Sequence, residues 1–166
     1  MTPRATPLLF ALLVLAALFG FAPRAHAASC SVAATAMAFG TYDPISATPR
    51  DSSADVSVDC NGNGNQTSVG ITFDAGTYGS FATSRAMGQG ANRLYYNLYV
   101  DASRTTVFGS GVSVSCTTGV DSPGCTGSNP SGGALRATRT IFGRMPTGQD
   151  VASGPYSDVV RITITF

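Results

Sequence analysis

The chain contains no Glu, no Lys and no Trp, and its one His is His26. All nine acidic residues are Asp and all ten basic residues are Arg. Glu and Lys are the usual formers of exposed helix surface, so their absence argues against a protein of long helices. Charged residues make up only 11% of the chain, well under the ~25% of an average soluble domain. The net charge of +1 has no basic run behind it, which disfavours electrostatic binding of nucleic acid. What the chain does have is 19 Gly, 9 Pro and 43% hydrophobic residues in 166 positions, about one domain's worth of sequence.

One long apolar run is present, from Leu8 to Ala22. Arg4 precedes it, and Ala25-His26-Ala27 follows as a small-x-small cleavage site. This is the pattern of a secretory signal peptide over residues 1–27. The run falls short of the ~20 residues of a spanning helix. Ala27-Ala28-Ser29 ahead of Cys30 lacks the upstream Leu of a lipoprotein signal. Cleavage after Ala27 leaves residues 28–166, read as one exported domain with no membrane span. Its eight Arg and nine Asp give a net charge of −1.

Loss of His26 leaves a mature chain without His, Lys or Glu. Ser-His-Asp and Cys-His catalysis, His-based zinc sites and Schiff-base chemistry are thereby excluded. An Asp-based hydrolase is the remaining enzymatic option. No Asp-Thr-Gly or Asp-Ser-Gly occurs. Asp51-Ser52-Ser53 and Asp121-Ser122-Pro123 read as turns. Asp51 and Asp55 lack the spacing of a calcium loop. No enzyme, cofactor or metal site is expected.

Four cysteines, Cys30, Cys60, Cys116 and Cys125, lie in the exported part. An even count in an exported domain reads as disulfides, with three possible connectivities. The pattern Cys30–Cys60 with Cys116–Cys125 is preferred, the second pair because it encloses a turn-rich loop. Closing these loops is worth roughly 3–4 and 2.5–3 kcal/mol.

Period-two alternation marks the strands. Ala54, Val56, Val58 and Cys60 alternate with Asp55, Ser57 and Asp59. Val69, Ile71 and Phe73 form a second row, and Leu94, Tyr96, Leu98 and Val100 a third, with Tyr95 and Tyr99 outward. Val112 and Val114 lead into Cys116, and 137–142 continues with Arg139 expected outward. Val160, Ile162, Ile164 and Phe166 alternate with Arg161, Thr163 and Thr165 in the strongest run. The pattern predicts an all-β chain of about seven strands in an antiparallel sandwich or barrel. The stretch from Gly119 to Gly133 reads as a mobile loop, and Asn65-Gln66-Thr67 fits the glycosylation acceptor pattern. The final strand is read either as part of a closed core or as the border of a gap that another chain fills.

Three blocks of sequence resemble the spore coat protein U domain. The first is Cys30, Phe39-Gly40-Thr41-Tyr42-Asp43-Pro44 and Val56-Ser57-Val58-Asp59-Cys60. The second is Arg85-Ala86-Met87, Leu94-Tyr95-Tyr96-Asn97-Leu98-Tyr99-Val100-Asp101 and Arg104-Thr105-Thr106-Val107-Phe108-Gly109. The third is Phe142-Gly143-Arg144-Met145-Pro146, Gln149 and Gly154-Pro155-Tyr156-Ser157-Asp158-Val159-Val160. The family holds secreted coat proteins and subunits of archaic chaperone–usher pili. The resemblance implies an immunoglobulin-like antiparallel β-sandwich lacking its last strand. It implies a donor strand from a periplasmic chaperone and then from a neighbouring subunit, with assembly through an outer-membrane usher. It places docking along Val160, Ile162, Ile164 and Phe166, and it supports Cys30–Cys60. The product would pass through the periplasm to the cell surface, a pilus or the medium. Polymerising pilins carry a donor segment before the first Cys, whereas Ala28-Ser29 is too short to span a strand. A tip or terminal position is therefore expected. The alternative is a self-sufficient secreted coat or surface/glycan-binding module, for which Tyr95 and Tyr99 offer an outward aromatic strip; the same side chains read first as cover for one face of the sheet.

Overall fold

The computed structural model describes residues 29–61, 68–80, 84–109, 114–117, 125–128 and 135–165. The expected signal peptide, Asn65, Val112 and Phe166 lie outside them. Among the described residues there is no helix, and nine strands pair antiparallel throughout. They are β1 Ser29–Ala34, β2 Arg50–Asn61, β3 Ser68–Phe73, β4 Arg85–Gln89, β5 Asn92–Tyr99, β6 Val114–Thr117, β7 Cys125–Ser128, β8 Leu135–Met145 and β9 Ile162–Thr165.

One sheet runs β1-β2-β8-β5-β4, with β7 also on β8; the other runs β6-β3-β9. The free edge of β8 is shared: β7 takes Arg136–Arg139 and β5 takes Phe142–Arg144. The inward rows meet in one core. Val56, Val58 and Cys60 come from β2, Leu94, Tyr96 and Leu98 from β5, and Leu135, Ala137 and Ile141 from β8. Val69, Ile71 and Phe73 of β3 complete it from the facing sheet. The fold is an immunoglobulin-like antiparallel β-sandwich.

The longest ladder joins β2 to β8, from Arg50 opposite Met145 to Cys60 opposite Leu135. Its outer face matches charge and hydroxyl across the strands. Asp51 accepts two bonds from Arg144, at 2.7 and 2.8 Å. Thr140 donates to Asp55 at 2.7 Å, and the Ser57 and Thr138 hydroxyls are 3.1 Å apart. Arg136 lies 3.0 Å from Asp59. Such directly opposed pairs select one register. Gly143 sits on the inner face of β8, where a Cβ would lie 2.3 Å from Met37 Sδ and 2.7 Å from Phe39 Cζ. Its bare backbone lets residues 37–39 pack across the sheet.

Three expectations are corrected. The described residues form nine strands rather than about seven, because β1, β4 and β7 carry too few alternating apolar residues to stand out. The Gly119–Gly133 stretch contains β7, whose backbone finds partners on β8 despite its polar composition. Arg139 is buried, not outward. It shares the inward parity of Ala137 and Ile141, and its guanidinium donates to the Val100 carbonyl.

Arg85 is a second buried cation, 1% exposed. Its Nε donates to the Asp74 carbonyl at 2.9 Å and its Nη2 to the Phe108 carbonyl at 2.7 Å. Burial lowers its pKa, and the fields of Tyr96, Asp74 and Asp158 oppose that. A guanidinium that satisfies backbone carbonyls is tolerated inside a core where an unpaired one is not.

Candidate functional site

The residues after β1 and the residues before β9 do not close on one another. Between them lies a cleft of about 480 Å³. Ala34, Thr35, Ala36 and Met37 line one side, and Tyr156, Ser157, Asp158, Val160 and Ile162 the other. Buried side chains of both sheets form the floor: Val56, Phe73, Tyr96, Leu98 and Ile141. A second hollow of about 680 Å³ shares Met37, Phe39, Met87 and Tyr156 with the first and extends toward Tyr42, Leu94 and Met145. Together they make an apolar trough open to solvent.

Among the described residues, the strand that borders the trough has one partner. β9 pairs with β3, Phe73 opposite Ile162 through Gly70 opposite Thr165, and stands at the end of its sheet. β1 likewise ends the other sheet. An edge of this kind presents N–H and C=O groups that seek a strand.

Two Asp residues set the path into β9. Asp74 Oδ1 accepts the amides of Gly76, at 3.0 Å, and Arg161, at 2.9 Å. Asp158 Oδ1 accepts the Thr77 and Val159 amides, each at 2.8 Å, and its Oδ2 accepts the Tyr96 hydroxyl at 2.8 Å. Burial, and then that bond to a carboxylate, push the Tyr96 hydroxyl far above the ordinary phenol range. Upstream, Gly88 and Ser157 exchange both backbone bonds, at 2.9 and 3.3 Å, fastening the lead-in segment to β4.

The expected docking residues are distributed as follows. Val160 and Ile162 line the trough, and Ile164 is half-buried against the core opposite Ile71. Phe166 lies outside the described residues. Met37, Phe39, Met87 and Tyr156 were not singled out from the sequence as cleft residues. Only the large–small alternation Ala36-Met37-Ala38-Phe39 hinted at an inward row. Cys30 is bonded to Cys60, its cross-strand neighbour in the β1–β2 ladder. Cys116 is disulfide-bonded as well, and the Cys125 side chain lies outside the described residues. Tyr95 is exposed and Tyr99 half-buried. Among the described residues no three His, Cys, Asp or Glu stand together to hold a metal, and no helix is long and apolar enough to cross a membrane.

Residues 16–163 match the Spore Coat Protein U domain. The chain belongs to that family. As a spore coat protein U domain it is similar to "Protein U" of Myxococcus xanthus, with 29% identity over 157 residues. That match covers 83% of this chain and 78% of the relative. In fold, the domain is similar to a chain of the CsuC–CsuE chaperone–tip adhesion subunit pre-assembly complex from the archaic chaperone–usher Csu pili of Acinetobacter baumannii. The TM-score is 0.58 at 21% identity; the match covers 84% of this spore coat protein U domain but only 40% of the Csu chain.

Proposed function

We propose that this chain is an exported, non-enzymatic structural subunit of a cell-surface assembly, a chaperone–usher type pilus or a coat. Its sandwich is completed by a β-strand from another chain. The observation that carries the reading is the apolar trough beside the edge of β9 that has no strand partner among the described residues. A strand laid there would gain backbone partners from β9 and bury its alternate side chains over Val56, Leu98 and Ile141. Family membership and the fold likeness to a chain from a chaperone–subunit complex support it. The expected partners are a periplasmic chaperone, an outer-membrane usher and further subunits. The route is through the periplasm to the surface.

Urea unfolding of oxidised residues 28–166, alone and with the cognate chaperone, tests this. The expected result is aggregation or a weakly cooperative transition alone, and one sharp transition with the chaperone. A stable monomer alone with a transition of several kcal/mol would overturn it and favour a self-sufficient coat or glycan-binding module. The continuous two-sheet core is the feature that favours that second reading.

A terminal position in the assembly is the finer proposal. It rests on signal cleavage after Ala27, which would leave Ala28 as the lone residue ahead of β1. An intact mass corresponding to a start before residue 20 would overturn it.

A further inference from the structure

We propose that Asp158 sets the register of the incoming strand by demanding one hydrogen-bond-donating side chain in an otherwise apolar row. The inference rests on the strand-accepting reading above and names the chemistry of its occupant.

The segment from 158 to 165 alternates without a break. Asp158, Val160, Ile162 and Ile164 are half-buried, while Val159, Arg161, Thr163 and Thr165 are exposed. The inward row of the lead-in segment and β9 is thus one carboxylate followed by three aliphatic side chains. Of the residues lining the 480 Å³ cleft, Asp158 alone carries a charge. The rest of that surface is aliphatic, aromatic or thioether apart from the hydroxyls of Thr35, Tyr96, Tyr156 and Ser157.

A strand docked beside β9 also sends every second side chain inward. A slip of one residue turns its polar face to the floor and is rejected by burial alone. A slip of two residues keeps the apolar row inward, so an all-aliphatic trough would tolerate it. Asp158 removes that tolerance. Its Oδ2 has one protein donor in the described structure, the Tyr96 hydroxyl, and a carboxylate oxygen accepts two. Covering it with an aliphatic side chain strips water from a charge without replacement. A Ser, Thr, Asn or Arg there restores a donor, and Arg also supplies the opposite charge. The same polar side chain, slipped by two, would lie over Val56 and Ile141 and lose its partner. The occupant is therefore an extended segment with apolar residues at every second position and one donor at the place facing Asp158.

The test uses residues 28–166 extended beyond Phe166 by a flexible linker of about ten Gly and Ser residues and a Val/Thr alternating strand. Arg replaces Val at each inward position in turn, and urea midpoints are compared in the natural chain and in Asp158→Asn. That variant keeps one acceptor oxygen for the Thr77 and Val159 amides, turns an NH2 donor toward the Tyr96 hydroxyl oxygen, and removes the charge. The expected result is a single inward position at which Arg outperforms Val by at least tenfold in folding equilibrium constant, with the preference lost in Asp158→Asn. Val preferred at every inward position, or an Arg preference that persists in Asp158→Asn, overturns the register role while the strand-accepting reading stands. Failure of every appended strand to raise the midpoint overturns that reading, and this inference with it.

Discussion

Between β2 and β8, eleven consecutive residue pairs face one another. The apolar row lies inward, and an Asp/Arg and hydroxyl ladder lies outward. At β9, four pairs face β3, and the other edge meets a trough. Both strands alternate equally well in sequence. The difference is that, among the described residues, β2 finds a full-length partner and β9 finds one on a single side. Alternation reports that one face of a strand is buried. It does not report whether both backbone edges are paired.

The sharpest way to break this comparison is to place the same charge on each side of it. Val58→Asp puts a carboxylate into the closed core, at a cost of several kcal/mol. It should abolish the cooperative transition with or without a donor strand. Ile162→Asp charges the trough and should abolish the stabilisation that a donor gives, together with secretion or assembly. Normal amounts of assembled product from Ile162→Asp would erase the contrast. Next in size, replacing Cys30 and Cys60 with Ala should lower stability by about 3–4 kcal/mol in urea unfolding. The bond joins β1 to β2 in the sheet that does not contain β9, so the further gain from a donor strand should persist. Loss of that gain would mean that β1 and the trough are one unit.

The smallest effect concerns the outer ladder. Asp51 is held below the ordinary carboxylate range, first by the hydrogen bonds of Arg144 and then by the charges of Arg104 and Arg144. A depressed folded value adds stability above the unfolded value of about 3.9 and loses it as pH falls through the folded value. Because the pair is partly exposed, Asp51→Asn should cost only ~0.2–1 kcal/mol at pH 7. It should also flatten the fall in stability below pH ~4. An unchanged acid limb would remove the ladder from the account of the closed seam.

The inward rows of β2, β3, β5 and β9 were readable because burial of one face imposes period two on residues local in sequence. Other elements were not readable. β7 is Cys-Thr-Gly-Ser, with no apolar row, and is a strand because part of the β8 edge is free to take it. Arg139 looked external because it is charged, yet parity carries it inward, where the Val100 carbonyl receives it. Arg85 and Asp158 carried no local sign of their roles, since their partners lie on other segments of the chain: Asp74 and Phe108 for one, Tyr96 and Thr77 for the other.

By itself, the order of residues determined the all-β class and the faces of the main strands. Each depends on composition or on neighbours within a few positions. Only the tertiary structure decided which edges are paired, which cations are buried and that the row from Asp158 to Ile162 borders an open trough. Pairing and burial are properties of segments far apart in the chain, and no local pattern records which of them meet.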